Sequence, residues 1–566
     1  MESLIKMDKK KLLNIVFFVG ILAVAIGLRV LFLNTDIWYD EACSWFTAKQ
    51  SFPVGIIHNL LTLDLQHTPL YFFLLHFWIK LFGDFEISMR ILSLIFGVAT
   101  IPMVYLVSKK ITTSIVSNFA TALAAVSPIL TLFSVEVRMY PIVVFLVLVS
   151  LNYLIDFEQK NDKKSLLKLI IADVLIPYTL VGGFLYNFSV YICYSIYLFK
   201  NKKEQFLSYI KAVGIELILL VPYFYLINYY AKMRSVFVIT HEGELQFFHI
   251  VDVIRNYFGT ILVNNVYWPS EQPYAITVLF TTFVIVPCVY FVVGLIKSFK
   301  DEDKFVKILS TIFVTSFTLS VIFSLFKVNV FTSRYILYLL PPLFILSVIG
   351  LFQWLSKKHC VIFLSLFIVF STIFTLSYVK TFRISKTRAL KSVRIEADRW
   401  NLNSDDMVIM PFASDAPYYF RNLTSPRVFN FDFHKEVRNP YNNHFYDKTQ
   451  QDGLKYNKVS KIVYFAAMSD SVISQNYFKY FVENVNMTVP KSRYVMLALY
   501  GDDAKSLVTP EQMKAPIHLE NDVNKNLLGI MFQKYLIDTR SMLDADFNFI
   551  KGYTQDNYTF LIYQKK

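Results

Sequence analysis

Long apolar runs recur along the first two thirds of the chain and are separated by polar gaps. Each run has about 17–25 residues, enough for a helix to cross the ~30 Å hydrocarbon core of a membrane. They predict about eleven transmembrane helices, near residues 13–33, 88–108, 113–133, 141–157, 166–181, 183–199, 206–228, 275–296, 305–326, 335–353 and 360–379. The pattern therefore predicts a polytopic α-helical membrane protein with a transmembrane module at 1–379.

The pattern changes after residue 379, where no apolar run is long enough to cross a membrane. A helix-compatible piece at 389–402 is followed by short runs rich in β-branched and aromatic residues, which are typical of strands. These runs are 407–412, 427–433, 461–468, 494–501 and 558–564. Strands that alternate with polar helical pieces predict a C-terminal α/β domain at 380–566.

Composition and charge support a membrane protein and indicate its orientation. Hydrophobic residues make up 55% of the 566 residues and the mean hydropathy is +0.45. The net charge of +14 comes largely from basic clusters in alternate gaps, which is a membrane pattern and does not indicate nucleic-acid binding. The clusters lie at 9–11, 109–110, 160–168, 200–203, 297–307 and 357–358. We therefore expect a multi-pass cell-membrane protein with a cytoplasmic N-terminus.

The remaining gaps, and with them the C-terminal domain, are expected outside the cell. These gaps lie near 34–87, 134–140, 182, 229–274 and 327–334. Basic and non-basic gaps alternate along the chain only if the apolar piece Leu70–Phe82 does not cross the membrane. At about 13 residues it is too short to span and better suited to lie at the interface. The first external loop, 34–87, is therefore long, with interfacial helices, and we expect the active site there.

Asp40 and Glu41 follow the first span directly and begin a segment with helical character. Acidic residues are favoured at a helix start for purely structural reasons, since backbone N–H groups are unpaired there. Their place between aromatic residues at a membrane face also suits a general base, because partial burial raises the pKa of a carboxyl group. Both roles stay open for this pair.

A second constellation runs from Asp64 to Tyr71. Pro69 suits the first turn of the interfacial helix and Thr68 is a candidate cap. His67 then lies near the helix entry, where a negatively charged group is favoured. A histidine before such a turn is often structural, so His67, together with Asp64 and Tyr71, is a candidate for chemistry or for packing.

Arginines lie at the outer ends of three spans. Arg138 falls in a very short external loop, before Tyr140, Arg334 precedes the tenth span, and Arg90 closes the first external loop. An arginine at this depth either reaches ordinary lipid phosphates or holds the phosphate of a bound lipid substrate. The external loop at 229–274 is long enough to suggest a gating role, although no residue in it stands out.

Other familiar sites are not indicated. The four cysteines are scattered without metal-type or paired spacing, which argues against a zinc site or a disulfide framework. Credible phosphate-loop, dinucleotide-binding, zinc-protease and serine-hydrolase motifs are not found.

The motifs, taken in order, resemble the GT-C superfamily of glycosyltransferases that use polyprenyl-phosphate sugars. Glycosyltransferase family 39, with protein O-mannosyltransferases and lipid A aminoarabinose transferases, is the most similar. The motifs are Asp40-Glu41, HTPLYF (67–72), GDFEISMR (83–90), EVRMYP (136–141) and RYILYLLPP (334–342). The resemblance covers roughly residues 10–350. Thr68 stands where the family usually has the first of two prolines.

The resemblance implies a GT-C fold and a sugar donor on a polyprenyl phosphate. It implies that Asp40 is the catalytic base of an inverting displacement, with Glu41 as the second acidic candidate and Asp64 as an additional one. The residues expected to bind the donor phosphate or lipid are His67, Tyr71, Arg90, Arg138, Tyr140 and Arg334. Some superfamily members use a divalent metal; here we expect no metal site and no required cofactor.

The expected partners are the lipid-linked donor, membrane lipids and an extracytoplasmic glycan, lipid or protein acceptor, with no nucleic acid. Two alternatives stay open. A transporter or flippase would show internal repeats and charged or broken helices near mid-membrane, whereas here the polar groups collect at one face. A polymerase of lipid-linked oligosaccharides would share the topology, but it leaves the Asp40-Glu41 and HTPLY motifs unexplained.

Overall fold

The structure is a computed structural model of the chain. It describes residues 9–62, 67–237, 287, 289–325, 332, 334–386, 390–403, 405–411, 416–419, 427–432, 463–466, 492–500, 543, 545–555 and 558–566. Its helices are α1 (Lys9–Val30), α2 (Tyr39–Ala48), α3 (Val54–Thr62), α4 (Pro69–Phe82), α5 (Glu86–Ile111), α6 (Ser114–Val126), α7 (Pro128–Ser134), α8 (Tyr140–Lys160), α9 (Lys163–Thr179), α10 (Phe184–Asn201), α11 (Lys203–Leu219), α12 (Val221–Phe237), α13 (Val289–Ser298), α14 (Lys304–Leu325), α15 (Leu340–Trp354), α16 (Lys357–Lys386), α17 (Leu390–Arg399) and α18 (Ala416–Tyr419).

The described part contains six helices long and apolar enough to cross a membrane, so the chain is a polytopic helical membrane protein. They are Glu86–Ile111, Tyr140–Lys160, Val181–Asn201, Lys304–Ser324, Leu337–Trp354 and Lys357–Leu376. Two bent helix pairs, α6 with α7 and α11 with α12, raise the number to as many as eight. Most of the predicted span at 275–296 lies outside the described residues, and the count of eleven stays a prediction.

The bend between α6 and α7 has a local cause and is held by neighbouring helices. The two helices are inclined by 56°, and Pro128, in the first turn of α7, has no N–H to continue the helix. Two carbonyl groups at the end of α6 find other donors: Arg29 donates to Ala125 at 2.9 Å and Thr375 donates to Val126 at 2.6 Å. The broken span is therefore stabilised by hydrogen bonds from α1 and α16.

Lysines from several gaps converge on two acidic residues near the end of α8. The Asp156 carboxylate lies 2.8 Å from Lys110 and 3.0 Å from Lys160. The buried Glu158 carboxylate lies 2.8 Å from Lys202 and 3.0 Å from Lys304. The gaps with basic clusters at 109–110, 160–168, 200–203 and 297–307 therefore meet at one end of the bundle, as the alternation of charge requires.

Charged residues are also buried inside the helices, contrary to the expectation that polar groups collect at one face. Arg29 on α1 is fully buried, as are Asp173 on α9 and Glu216 on α11. The Asp173 carboxylate lies beside the Ser150 side chain. Hydropathy averaged over a whole span hides such isolated groups.

The described residues of the segment at 34–87, predicted as an external loop, include three short helices. The apolar helix α4 has 14 residues and falls below the length of a span, as predicted. Pro69 is its first residue and Thr68 stands at the N-cap, but the Thr68 side chain makes no capping hydrogen bond. Gly83 ends the helix with φ of +84°, a conformation that residues with a Cβ rarely adopt.

The C-terminal residues form a small mixed sheet. Its strands are β1 (Met407–Pro411), β2 (Arg427–Asp432), β3 (Val463–Ala466), β4 (Tyr494–Tyr500), β5 (Phe547–Gln555) and β6 (Tyr558–Lys565), in the order β3-β2-β1-β4-β6-β5. The first four strands are parallel to their neighbours, and β6 pairs antiparallel with both β4 and β5. The five predicted strands are confirmed, while β5 was missed.

Residue contacts divide the chain into two compact units. The first contains Met1–Thr35, Thr47–Val236 and Thr240–Arg383, and the second contains Asp36–Phe46, Phe237–Ile239 and Ile384–Lys566. The start of α2, with Asp40 and Glu41, thus belongs to the same unit as the C-terminal sheet.

Candidate active site

His67 and Arg138, 71 residues apart, form a buried pair in the first unit. A terminal guanidinium nitrogen of Arg138 lies 2.7 Å from Nε2 of His67, and the two residues are 3% and 4% exposed. Guanidinium can only donate, so Nε2 must accept and the ring proton must lie on Nδ1. His67 is therefore a neutral acceptor that orients the arginine.

The backbone on both sides of this pair is anchored. The Tyr230 hydroxyl on α12 donates to the His67 carbonyl at 2.7 Å. Ser93 on α5 donates to the Arg138 carbonyl at 2.9 Å, and the Arg138 N–H bonds the Glu136 carbonyl at 2.8 Å in a tight turn. The turn between α7 and α8 thus fixes where the Arg138 side chain begins.

Aromatic rings connect Arg138 with Arg334, whose loop lies almost 200 residues further along the chain. The Arg138 guanidinium lies 5.8 Å from the ring centre of Tyr140. The Tyr140 and Tyr335 ring centres are 6.3 Å apart, and the Arg334 guanidinium lies 5.2 Å from the ring centre of Tyr335. The structure therefore brings His67, Arg138, Tyr140 and Arg334 to one end of the helix bundle.

Tyr71 belongs to the wall of the same region. It is fully buried in the first turn of α4, and its ring meets Phe72 edge-on at 5.6 Å. Phe72 in turn contacts the His67 ring edge-on at 6.0 Å. Tyr71 thus packs one ring away from the His67–Arg138 pair.

Arg90 has a different environment from the other arginines. Its fully buried guanidinium donates from one nitrogen to the carbonyl groups of Leu33 at 2.7 Å and Thr35 at 2.5 Å. These carbonyls belong to the segment that follows α1. A role for Arg90 at a phosphate stays a prediction, and its visible contacts are with the backbone.

Asp40 and Glu41, described within the second unit, differ in environment. The Glu41 carboxylate is fully buried and accepts the Trp38 backbone N–H at 3.3 Å, the reciprocal half of a capping box. Asp40 is half-buried, and its carbonyl accepts a hydrogen bond from Ser44 at 3.0 Å. The structural role foreseen for the acidic pair therefore applies to Glu41.

Other candidates lie beyond what the structure describes. Asp64 and the loop from residue 238 to 274 are outside the described residues. Within the described ranges, no group of three or more His, Cys, Asp or Glu side chains is arranged to hold a metal ion. Metal dependence therefore stays untested.

Sequence reasoning missed three residues of this region. Tyr230 and Ser93 act through backbone carbonyls, so no motif marks them. Tyr335 follows Arg334 directly, and its aromatic character beside an arginine was the signal available. The resulting site is a pair of cations at a membrane face, with a neutral histidine and aromatic walls, which suits an anionic headgroup.

Comparison with solved structures shows the fold. ArnT from Cupriavidus metallidurans in the apo state matches at TM-score 0.55 and 11% identity, with 87% of this chain and 94% of that chain covered. The same protein bound to undecaprenyl phosphate matches at 0.54 and 11%, with 97% of each chain covered. The Archaeoglobus fulgidus oligosaccharyltransferase in the apo form matches at 0.51 and 12%, with 88% and 70% covered. The chain has an ArnT-like fold.

The sequence also matches a protein family over part of its length. Residues 66–226 match the model of the dolichyl-phosphate-mannose-protein mannosyltransferase family. Over this segment the chain is similar to that family, and together with the fold the match shows a membrane glycosyltransferase that uses a lipid-phosphate sugar donor. A comparison with curated proteins finds no match. The bent spans and buried charges are features that a transporter would also show, but the family match argues against that alternative.

Proposed function

We propose that this enzyme transfers a sugar from a polyprenyl-phosphate donor to a hydroxyl group of an extracytoplasmic glycan, lipid or protein, with inversion at the anomeric carbon. The buried Arg138–His67 pair carries the proposal, since it fixes a guanidinium within the segment that defines the family. A fixed guanidinium suits bidentate binding of a phosphate. The solved ArnT complex with undecaprenyl phosphate supports a donor of this class.

The proposed reaction needs one base and a cationic site for the leaving group. The acceptor oxygen attacks the anomeric carbon while the bond from that carbon to the phosphate oxygen breaks. Asp40 takes the proton of the acceptor hydroxyl. The lipid phosphate leaves with one more negative charge, which Arg138 and Arg334 stabilise. No metal is needed for this balance, and we propose that none is required.

The proposed topology has eleven spans, a cytoplasmic N-terminus and an extracytoplasmic C-terminal domain. The convergence of Lys110, Lys160, Lys202 and Lys304 supports it, since lysines are retained on the cytoplasmic side. Arg138 lies at the opposite end of α8 from Lys160, and His67 is hydrogen-bonded to Arg138. The donor then binds from the outer leaflet.

The base is tested with Asp40→Asn in the full-length protein. We expect normal expression and folding, and a loss of transfer from a radiolabelled polyprenyl-phosphate sugar of about a hundredfold or more. Glu86→Gln, in the first turn of α5, is the matched control because it also neutralises an acidic residue at a helix start. Full activity of Asp40→Asn would remove Asp40 from the mechanism.

The cationic site is tested by donor binding. Arg138→Ala should raise the Kd for undecaprenyl phosphate about tenfold to hundredfold, since a charge-assisted bond contributes about 1.5–3 kcal/mol. Lys80→Ala, an exposed cation at the end of α4, is the control for general attraction to anionic lipid. If the Arg138 and Lys80 variants bind undecaprenyl phosphate equally well, Arg138 contacts only ordinary membrane lipids and has no specific role at the donor.

The orienting role of His67 is tested with two replacements. In His67→Gln the amide oxygen can still accept from Arg138, whereas His67→Phe leaves that buried donor without its acceptor. We expect donor affinity to survive in the first variant and to fall at least tenfold in the second. The opposite order would show that the imidazole itself, and not its acceptor atom, is needed.

A further inference from the structure

The first residues of the segment at Asp36–Phe46 are hydrogen-bonded to the C-terminal domain. The Ile37 backbone N–H donates to the hydroxyl oxygen of Tyr419 at 2.7 Å, across 382 residues of sequence. Ile37 is fully buried and Tyr419 is 7% exposed, so water does not replace this bond easily. The contact lies directly before Trp38, the residue at the N-cap of α2.

The same segment makes a second contact with the C-terminal domain about two helical turns later. The Trp45 ring meets the Tyr418 ring edge-on, with centres 5.5 Å apart at 88°. Tyr418 also meets Tyr419 edge-on at 5.1 Å, and all three rings are buried. Edge-to-face pairs of this kind stabilise a contact beyond the burial of apolar area alone. Asp40 and Glu41 lie between these two contacts.

The two tyrosines lie in the C-terminal domain. They end α18, the short helix that follows β1 in the chain. β1 is hydrogen-bonded to β2 on one side and β4 on the other, which makes it an inner strand.

We propose that Tyr418 and Tyr419 are positioning residues for catalysis, through which the C-terminal domain holds the Asp40 carboxylate in its reactive orientation. This inference rests on the proposed function, because it takes Asp40 as the base. It gives the domain a part in the reaction that its sequence, which carries no recognisable motif, does not reveal. A displacement of about 1 Å in a catalytic group costs up to about a hundredfold in rate.

The test compares Tyr419→Phe with Tyr553→Phe in the full-length enzyme. The first variant removes only the hydroxyl that accepts from Ile37. The second removes a hydroxyl of the same domain that donates to Glu396 at 2.6 Å and accepts from Trp400 at 2.8 Å. Both therefore lose hydrogen bonds of the domain, and only the first touches the segment that carries Asp40.

We expect Tyr419→Phe to lower kcat at least tenfold while the Kd for undecaprenyl phosphate changes less than twofold. Hydrogen exchange of the peptide covering 37–46 should accelerate in this variant and not in Tyr553→Phe. Tyr418→Leu should behave like Tyr419→Phe, since it removes the ring that meets Trp45. Hydrogen exchange does not depend on activity, so it still reports whether the 37–46 segment is held in a variant that is inactive.

Two results would overturn the inference: wild-type kcat in Tyr419→Phe, or an equal loss in Tyr553→Phe, which would mean general destabilisation of the domain. Asp40→Asn is measured alongside. If it is inactive while Tyr419→Phe is normal, only the positioning role is refuted. If Asp40→Asn is fully active, the proposed base is wrong and this inference is refuted with it.

Discussion

Replacing Arg90 by methionine separates two explanations of this arginine. The family resemblance assigns it to the donor, whereas its contacts in the structure are with the carbonyls of Leu33 and Thr35. Methionine keeps most of the length of the side chain and removes the charge and the donors. The variant therefore tests whether Arg90 binds phosphate or fixes the backbone that leads to α2.

The expected effect follows from the geometry. Each hydrogen bond from a charged group contributes about 1.5–3 kcal/mol, so two of them give about 3–6 kcal/mol. These free energies are not reduced for screening by water, because Arg90 is fully buried. A loss of about 3 kcal/mol corresponds to more than a hundredfold in an opening equilibrium. We expect hydrogen exchange around residues 33–38 to accelerate by at least this factor.

Exchange measured by mass spectrometry and donor binding form the paired assay. In Arg90→Met the segment at 33–38 should lose protection while the Kd for undecaprenyl phosphate stays within threefold of wild type. Arg138→Ala should show the reverse pattern. An Arg90→Met variant with intact protection and a large loss of donor affinity would refute the role of Arg90 in fixing the backbone. It would instead support binding of the donor phosphate by Arg90.

Three further predictions concern stability. Glu158→Gln should lower the thermal midpoint by several degrees, because Lys202 and Lys304 lose a common buried carboxylate; an unchanged midpoint would contradict this. Burial raises the pKa of Tyr553 from 10.0 to about 12, so the stability it contributes is complete below pH 10 and is lost as pH rises to 12. Denaturant titrations over that range should show a steeper decline for wild type than for Tyr553→Phe, and equal slopes would refute the assignment. Asp173→Asn should not reduce the thermal midpoint, since it removes a fully buried charge; a marked drop would show that the charge itself is needed.

Much of the fold was predictable because membrane spans and buried strands are local patterns. The run at 88–108 corresponds to Glu86–Ile111, and the run at 494–501 to β4. The bend before Pro128 was missed because hydropathy averaged over a span does not register a break. The strand β5 was missed since most of its residues are exposed and it contains a glycine.

The candidate site also has one part that local motifs predicted and another part that they did not. Family motifs pointed to His67, Arg138, Tyr140 and Arg334, and the structure brings these residues together. No local rule connects Ile37 with Tyr419, because that bond joins two residues that are 382 positions apart in the sequence. Contacts of this range depend on the complete fold, and a single sequence carries no signal for them.

The two environments of the acidic pair suggest why chemistry that needs one base is accompanied by two carboxylates. Consecutive residues of a helix point about 100° apart, so the Asp40 and Glu41 side chains leave α2 in different directions. Glu41 points back to the Trp38 N–H and is buried, which fixes the start of α2. Asp40 is half-buried. If Asp40 is the base, as we propose, Glu41 acts on the reaction only through the helix start that it holds.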